Sequence, residues 1–198
     1  MYPVRGSILR AAVGRRHVSR AVVGRRKNVR VTSAADPYFI RPGRREDVEE
    51  IRTLRNDAIQ KSTAIWTTVL QPPDEAIAWW DELIGRRAVY VAECDGQVAG
   101  FASWSPWRAK EGYRFTGEDS VYVAGEHHGR GLGRRLLATL IDGARESGLH
   151  VMLADIESSN TASIALHARL GFETVGTLRE IGTKFNRWLD LTIMRLAL

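Results

Sequence analysis

Val121-Tyr122-Val123-Ala124-Gly125-Glu126-His127-His128-Gly129-Arg130-Gly131-Leu132-Gly133-Arg134-Arg135 is the stretch on which the reading of the fold turns. Its apolar, β-branched start predicts a strand over Glu118–Ala124. Its glycines predict a tight turn, and the residues after them a long helix from about Arg130 to Ser147. A strand that enters a helix through glycines leaves several backbone N–H groups unpaired at the helix N-terminus. Glycine lets a ligand approach that backbone, and the helix dipole favours an anion such as a pyrophosphate. Arg130, Arg134 and Arg135 add positive charge around the turn. The other reading of the same glycines is a tight connection and nothing more. A P-loop is excluded, because no Gly-Lys-Ser/Thr follows. A dinucleotide fingerprint is disfavoured, because the strand order does not suit a Rossmann unit.

Working outward, Tyr38–Arg41 predicts a short strand ended by Pro42-Gly43, and Asp47–Gln60 an amphipathic helix. In that helix Val48, Ile51, Leu54, Ala58 and Ile59 recur at helical spacing. Pro73–Ile84 predicts a second helix, with Ile77, Trp80, Leu83 and Ile84 on one side and Gly85 as its stop. Ala88–Glu93 and Val98–Ser105 read as a hairpin closed by Cys94-Asp95-Gly96-Gln97. A polar and aromatic loop covers residues 106–117. Beyond the long helix come a buried strand at His150–Glu157 and a helix at Asn160–Leu170. Strands at about Glu173–Glu180 and Trp188–Leu196 complete the chain. The order β-α-α-β-β-β-α-β-α-β-β predicts an α/β (α+β) fold: a mixed, mostly antiparallel sheet flanked by helices.

The 198-residue length suits one domain of ordinary size. An apolar fraction of 44% and a charged fraction of 26% exclude a wholly disordered or collagen-like chain. No apolar run reaches the ~20 residues that a membrane helix needs. The single cysteine, Cys94, excludes a disulfide framework and a cysteine-based zinc site, and reads as a small core residue. No metal is expected.

The net charge of +6 is unevenly placed. Residues 1–35 hold nine basic and no acidic side chains, whereas residues 36–198 hold twenty basic and twenty-three acidic ones. The chain therefore divides into a +9 tail and a −3 body. The tail repeats Ala11-Ala12-Val13-Gly14-Arg15-Arg16 as Ala21-Val22-Val23-Gly24-Arg25-Arg26. Its composition predicts disorder. A transit peptide, a basic arm for nucleic acid or lipid, and residues read from upstream of the true start compete for it. An inert or miscalled extension is the favoured reading. A nucleic-acid role would rest on this tail alone and is disfavoured.

The run Val121-Tyr122-Val123 followed by His128-Gly129-Arg130-Gly131-Leu132-Gly133 resembles the acetyl-CoA signature of the GNAT acetyltransferases. Asn160 to Leu170-Gly171-Phe172 is similar to that family's Asn-containing helix ending in Leu-Gly-Phe. The likeness spans roughly residues 38–198. Pro106-Trp107-Arg108, Tyr113-Arg114-Phe115-Thr116 and Glu118-Asp119-Ser120 resemble the phosphinothricin and methionine sulfoximine (sulfone) N-acetyltransferase branch. So do Ser62-Thr63, Lys184-Phe185 and Trp188-Leu189-Asp190. One departure is His128, where the signature has Gln or Arg.

The resemblance implies acetyl-CoA as cosubstrate, bound where the fourth and fifth strands splay. Val121, Tyr122, Val123, His128, Gly129, Arg130, Gly131, Leu132, Gly133, Arg134 and Asn160 would hold it. It implies direct attack of an amine on the thioester, with Glu118 as general base and His167, where many relatives have tyrosine, as proton donor to the thiolate. The other reading of Glu118 is an exposed strand end, and of His167 a packed helix residue. Adjacent strand residues point to opposite faces, so only one of Glu118 and Asp119 can face the amine. Arg108, Tyr113, Arg114 and Lys184 are candidates for binding a small-molecule amine that carries a carboxylate. A polyamine, aminoglycoside or protein N-terminus is the alternative substrate. The resemblance also implies a cytoplasmic homodimer.

Overall fold

A computed structural model describes residues 36–198. The readings made of residues 1–35 lie outside the described residues. Seven strands form one sheet: β1 (Phe39–Pro42), β2 (Val89–Cys94), β3 (Gln97–Pro106), β4 (Thr116–Val123), β5 (Val151–Glu157), β6 (Glu173–Lys184) and β7 (Arg187–Ala197). Four helices accompany them: α1 (Val48–Lys61), α2 (Pro73–Leu83), α3 (Leu132–Glu146) and α4 (Thr161–Ala168). The sheet order is β1-β2-β3-β4-β5-β7-β6. Every neighbouring pair is antiparallel except β4 and β5, which run parallel.

The helices occupy opposite faces, and β3 shows why. A Cβ added at Gly100 would meet Leu136 of α3. Its neighbour Phe101 instead meets Trp79 of α2 edge-on. Successive side chains of a strand alternate between faces, so α3 covers one side and α1 and α2 the other. Leu132, Leu136, Leu137, Leu140 and Ile141 recur at the spacing that turns one stripe of α3 inward, and all are buried. Trp80 and Leu83 of α2 do the same on the other face.

The expected elements are present with informative shifts. Helix α3 opens at Leu132, not Arg130, because Gly131 adopts a left-handed φ of 76° and stands as its N-cap. The buried stripe of α2 runs through Ala76, Trp80 and Leu83; Trp80 and Leu83 face inward as expected, whereas Ile77 and Ile84 are exposed. Strand β6 continues past Glu180 because an irregularity there restores pairing, with the Glu180 N–H donating to Asp190 Oδ1 at 2.8 Å. Cys94 ends β2 and, partly buried, packs against the edge of the core.

One break in the sheet creates the site. β4 and β5 pair from Thr116 opposite Val151 to Glu118 opposite Leu153, and no further. Each strand continues on its outer side, β4 along β3 as far as Val123 and β5 along β7 as far as Glu157. Both strands are therefore held while their shared edge opens into a V. Beyond Glu118 the inward-facing backbone groups have no strand partner.

Candidate active site

Two connected hollows flank this V. One, of about 340 Å³, is bounded by Arg55 on α1, by Ala64, Ile65 and Trp66 of the following loop, and by the splayed parts of β4 and β5. The other, of about 670 Å³, lies between Val121 and Val123, the glycine turn and α4. Val121, Asn160, Ser163 and His167 border both.

The larger hollow combines open strand backbone, a glycine turn and a helix start. The Ala124 N–H donates to Ala99 of β3, and the Thr116 carbonyl accepts from Trp107. Even-numbered backbone groups of β4 thus face β3, and the odd-numbered groups of Val121 and Val123 face the gap. His128, the departure from the expected signature, is exposed and donates from Nε2 to the Val123 carbonyl at 2.8 Å, pinning the turn to the strand. Gly129 and Gly131 both have positive φ, near 72° and 76°, and a Cβ at either would meet nothing. These positions need glycine for conformation, not for space. No side chain caps the N-terminus of α3, so its first N–H groups point at the hollow. Arg134 and Arg169 line the same space. Arg130 instead reaches towards the Tyr38 hydroxyl at 3.4 Å. Arg135 is engaged by Asp36 at 2.6 Å, which withdraws it from the charge expected around the turn. Asn160 caps α4, its Oδ1 accepting from the Ser163 N–H at 3.1 Å, while its side-chain NH₂ stays on the border of both hollows.

The alternation of β4 separates the two candidate carboxylates. Tyr122 stacks on Phe101, on the α1 and α2 face, with ring centroids 5.0 Å apart. Glu118, four residues earlier, shares that face and opens into the smaller hollow. Asp119 points the other way, into α4, where His167 meets it: Nε2 lies 3.0 Å from Oδ2. His167 Nδ1 lies 2.8 Å from the Ser163 carbonyl. A carbonyl only accepts, so Nδ1 carries a hydrogen. Nε2 faces the Asp119 carboxyl, a partner that favours the doubly protonated ring. Burial opposes that charge, but the Asp119 hydrogen bond and charge, with the Ser163 carbonyl, outweigh it and raise the His167 pKa.

Glu118 experiences the opposite balance. Burial, then the charges of Asp155 and Asp119, push its pKa up to about 7. Asp155, on β5, is raised by burial and by Asp119, with Arg108 opposing. Its Oδ1 is buried without a hydrogen-bond partner. Asp155 escaped the sequence reading, although an acidic residue inside the apolar run Met152 to Ile156 is a detectable signal. At neutral pH Glu118 divides between protonated and ionised forms, the condition that suits a carboxylate to accept and return a proton.

The expected substrate-binding cations are placed less favourably. Lys184 is buried, and its ammonium donates to the carbonyls of Ile59 at 2.7 Å, Ser62 at 2.7 Å and Ile65 at 2.5 Å. An ammonium has three donors, so none remains for a substrate. Lys184 is a clamp that joins the end of α1 to the loop walling the smaller hollow. Arg114 lies over the Phe115 ring and borders a separate groove with Gly148 and Leu149. Arg108 is exposed, 4.2 Å from the Trp107 ring centroid, and Tyr113 packs edge-on against that tryptophan. This aromatic stack lines neither hollow, although the Arg108 charge reaches Asp155.

A model of the acetyltransferase (GNAT) family matches residues 49–172. The L-amino acid N-acyltransferase MnaT of Escherichia coli is 46% identical over 160 residues, which cover 80% of this chain and 93% of that protein. An L-methionine sulfoximine/L-methionine sulfone acetyltransferase of Salmonella typhimurium is 46% identical over 161 residues, 80% of this chain and 94% of that protein. The crystal structure of a GNAT superfamily phosphinothricin acetyltransferase from Sinorhizobium meliloti, in complex with acetyl-CoA, matches with a TM-score of 0.79. It is 30% identical and covers 82% of this chain and 89% of that one.

Proposed function

The chain belongs to the acetyltransferase (GNAT) family, and from that premise we propose that it transfers an acetyl group to the α-amine of a small amino acid or analogue. Methionine sulfone, methionine sulfoximine and phosphinothricin define the kind. The observation that carries this reading is Glu118, half-buried on the floor of a hollow of about 340 Å³ with a pKa near neutrality. That volume lies at the small end of ligand sites and suits an amino acid better than an aminoglycoside.

The larger hollow fits acetyl-CoA. The uncapped start of α3 and the glycine turn suit its pyrophosphate, with Arg134 alongside, and the open backbone of Val121 and Val123 suits its extended arm. When bound, acetyl-CoA supplies an acetyl group activated as a thioester. Glu118 accepts the proton that the substrate ammonium must lose before its nitrogen can attack. A backbone N–H of the Val121–Val123 segment donates to the carbonyl oxygen as charge develops there. His167, with both ring nitrogens engaged inside the protein, acts as a positioning residue: it holds Asp119 on the far face of β4, where that carboxyl adds to burial and Asp155 in raising the Glu118 pKa.

The protein works as a homodimer. The β6–β7 hairpin exposes Val175, Leu178, Ile181, Phe185 and Trp188, an apolar set along a long edge strand that calls for a covering surface. Among the described residues no helix is long and apolar enough to cross a membrane. We place the enzyme in the cytoplasm, where acetyl-CoA is made and used. The test is a panel assay of thiol release from acetyl-CoA with methionine sulfone, methionine sulfoximine, phosphinothricin, a polyamine and an aminoglycoside. Turnover confined to the first three is expected. Turnover with only the last two overturns the reading.

A further inference from the structure

We infer that Arg55 binds the substrate's α-carboxylate and is the residue by which this site distinguishes an amino acid from a simple amine. The inference rests on the amino-acid substrate class proposed above. It starts from the pattern of α1. Ile51 and Ile59 are buried, with 1% and 3% of their surface exposed. Arg55 stands four residues from each, on the same inward stripe, where an apolar side chain is the ordinary choice. It extends from that stripe into the smaller hollow and is, among the described residues, the only lysine or arginine bordering it.

Its surroundings leave its charge uncompensated. Among the described residues Arg55 forms no salt bridge, and its Nε is buried without a hydrogen-bond partner. Its guanidinium carbon lies 5.8 Å from the Trp79 ring centroid, which orients the group without neutralising it. A buried guanidinium donor without an acceptor is costly, and such a group in a folded protein calls for a missing partner. The rest of the lining supplies the opposite sign, with Glu118 and Asp155 together. Asp119 is held by His167, and Glu157 accepts from Thr63 and Ser159. One cation across from two unpaired carboxyl groups is the complement of an amino-acid zwitterion. The ammonium would lie towards Glu118 and the carboxylate towards Arg55, whose planar fork suits two parallel hydrogen bonds.

The experiment compares methionine sulfone with its decarboxylated amine, (methylsulfonyl)propylamine, in the wild type, Arg55→Gln and Arg55→Lys. Arg55→Gln should raise the KM for methionine sulfone by about 10- to 100-fold. It should change kcat/KM for the decarboxylated amine by less than about threefold and leave the KM for acetyl-CoA unchanged. Arg55→Lys, which keeps the charge but loses the fork, should lose a smaller part of the preference for the acid. If Arg55→Gln does not fold, the preference measured with Arg55→Lys decides. Equal losses on both amines, or none on either, would overturn the assignment while leaving the substrate class intact. A wild type that acetylates the decarboxylated amine but no amino acid overturns the substrate class, and the assignment with it.

Discussion

His167 Nε2 lies 3.0 Å from Asp119 Oδ2, between side chains that are 5% and 1% exposed. The residues stand 48 positions apart, one on α4 and one on β4. Removing one partner of such a pair leaves the other as an uncompensated buried charge, a loss of about 3–5 kcal/mol. His167→Ala should therefore unfold at markedly lower denaturant concentration. The folded-state pKa of His167 is raised, so its protonation stabilises the fold below its ordinary value near 6.5, and that contribution fades as pH rises through the raised value. The stability gap between wild type and His167→Gln should narrow from pH 6 to pH 9, read from urea unfolding. A gap that widens over this range contradicts a raised His167 pKa.

Glu118→Gln should lower kcat at pH 7 by about 10²–10⁴-fold with little change in the KM for acetyl-CoA. In the wild type kcat/KM should fall as pH drops through about 7, the value to which burial and its acidic neighbours bring Glu118. In the variant that limb should vanish, leaving only the titration of the substrate amine. An unchanged pH profile would place the base elsewhere. The same raised pKa opposes folding once Glu118 ionises, progressively as pH rises from its ordinary 4.5 to about 7. Glu118→Gln should then be more stable than wild type at pH 8, by about 2–3 kcal/mol, and of similar stability at pH 4.

Lys184→Met leaves the carbonyls of Ile59, Ser62 and Ile65 without their donor. A loss of about 2–4 kcal/mol is expected from unsatisfied buried groups. The loop that carries Trp66 should loosen, raising the KM for the amine more than that for acetyl-CoA. Gly182→Ala tests the same wall, since an added Cβ would collide with the Trp66 ring and displace it. If both variants keep the wild-type amine KM, this loop does not form the substrate pocket.

Gly131→Ala places a side chain at φ 76° with open space around it. The cost is conformational, about 1–2 kcal/mol for a left-handed residue. The turn should relax away from this geometry, weakening acetyl-CoA binding several-fold in calorimetry while the amine KM stays near its wild-type value. Equal binding by both proteins would remove the turn from the acetyl-CoA site.

The order of the elements was legible before any coordinates, because its signals are local. Gly131 ends the turn by its own φ, Asp95 and Gly96 close the β2–β3 hairpin with positive φ, and Pro73 opens α2. The strand-glycine-helix stretch around Val121–Arg135 was enough to place a helix start beside a strand. The choice between Glu118 and Asp119 was half legible: alternation requires them to face apart, but which one faces the substrate depends on what stands on each side. The contact with His167, from a distant helix, engages Asp119 and leaves Glu118 to open into the smaller hollow.

The cations show the limit more sharply. Lys184, Arg108 and Arg114 all sit in motif-like stretches, and a charge in sequence looks equally free at each. Only packing shows that Lys184 spends its three donors on carbonyls, that Arg108 and Arg114 lie over neighbouring aromatic rings, and that Arg55 reaches the hollow. The sequence by itself determined the strands, the helices and the glycine turn, because neighbours a few residues apart dictate them. The tertiary structure alone decided which charges are paired and which are left for a ligand, because pairing and burial depend on groups brought together from across the chain.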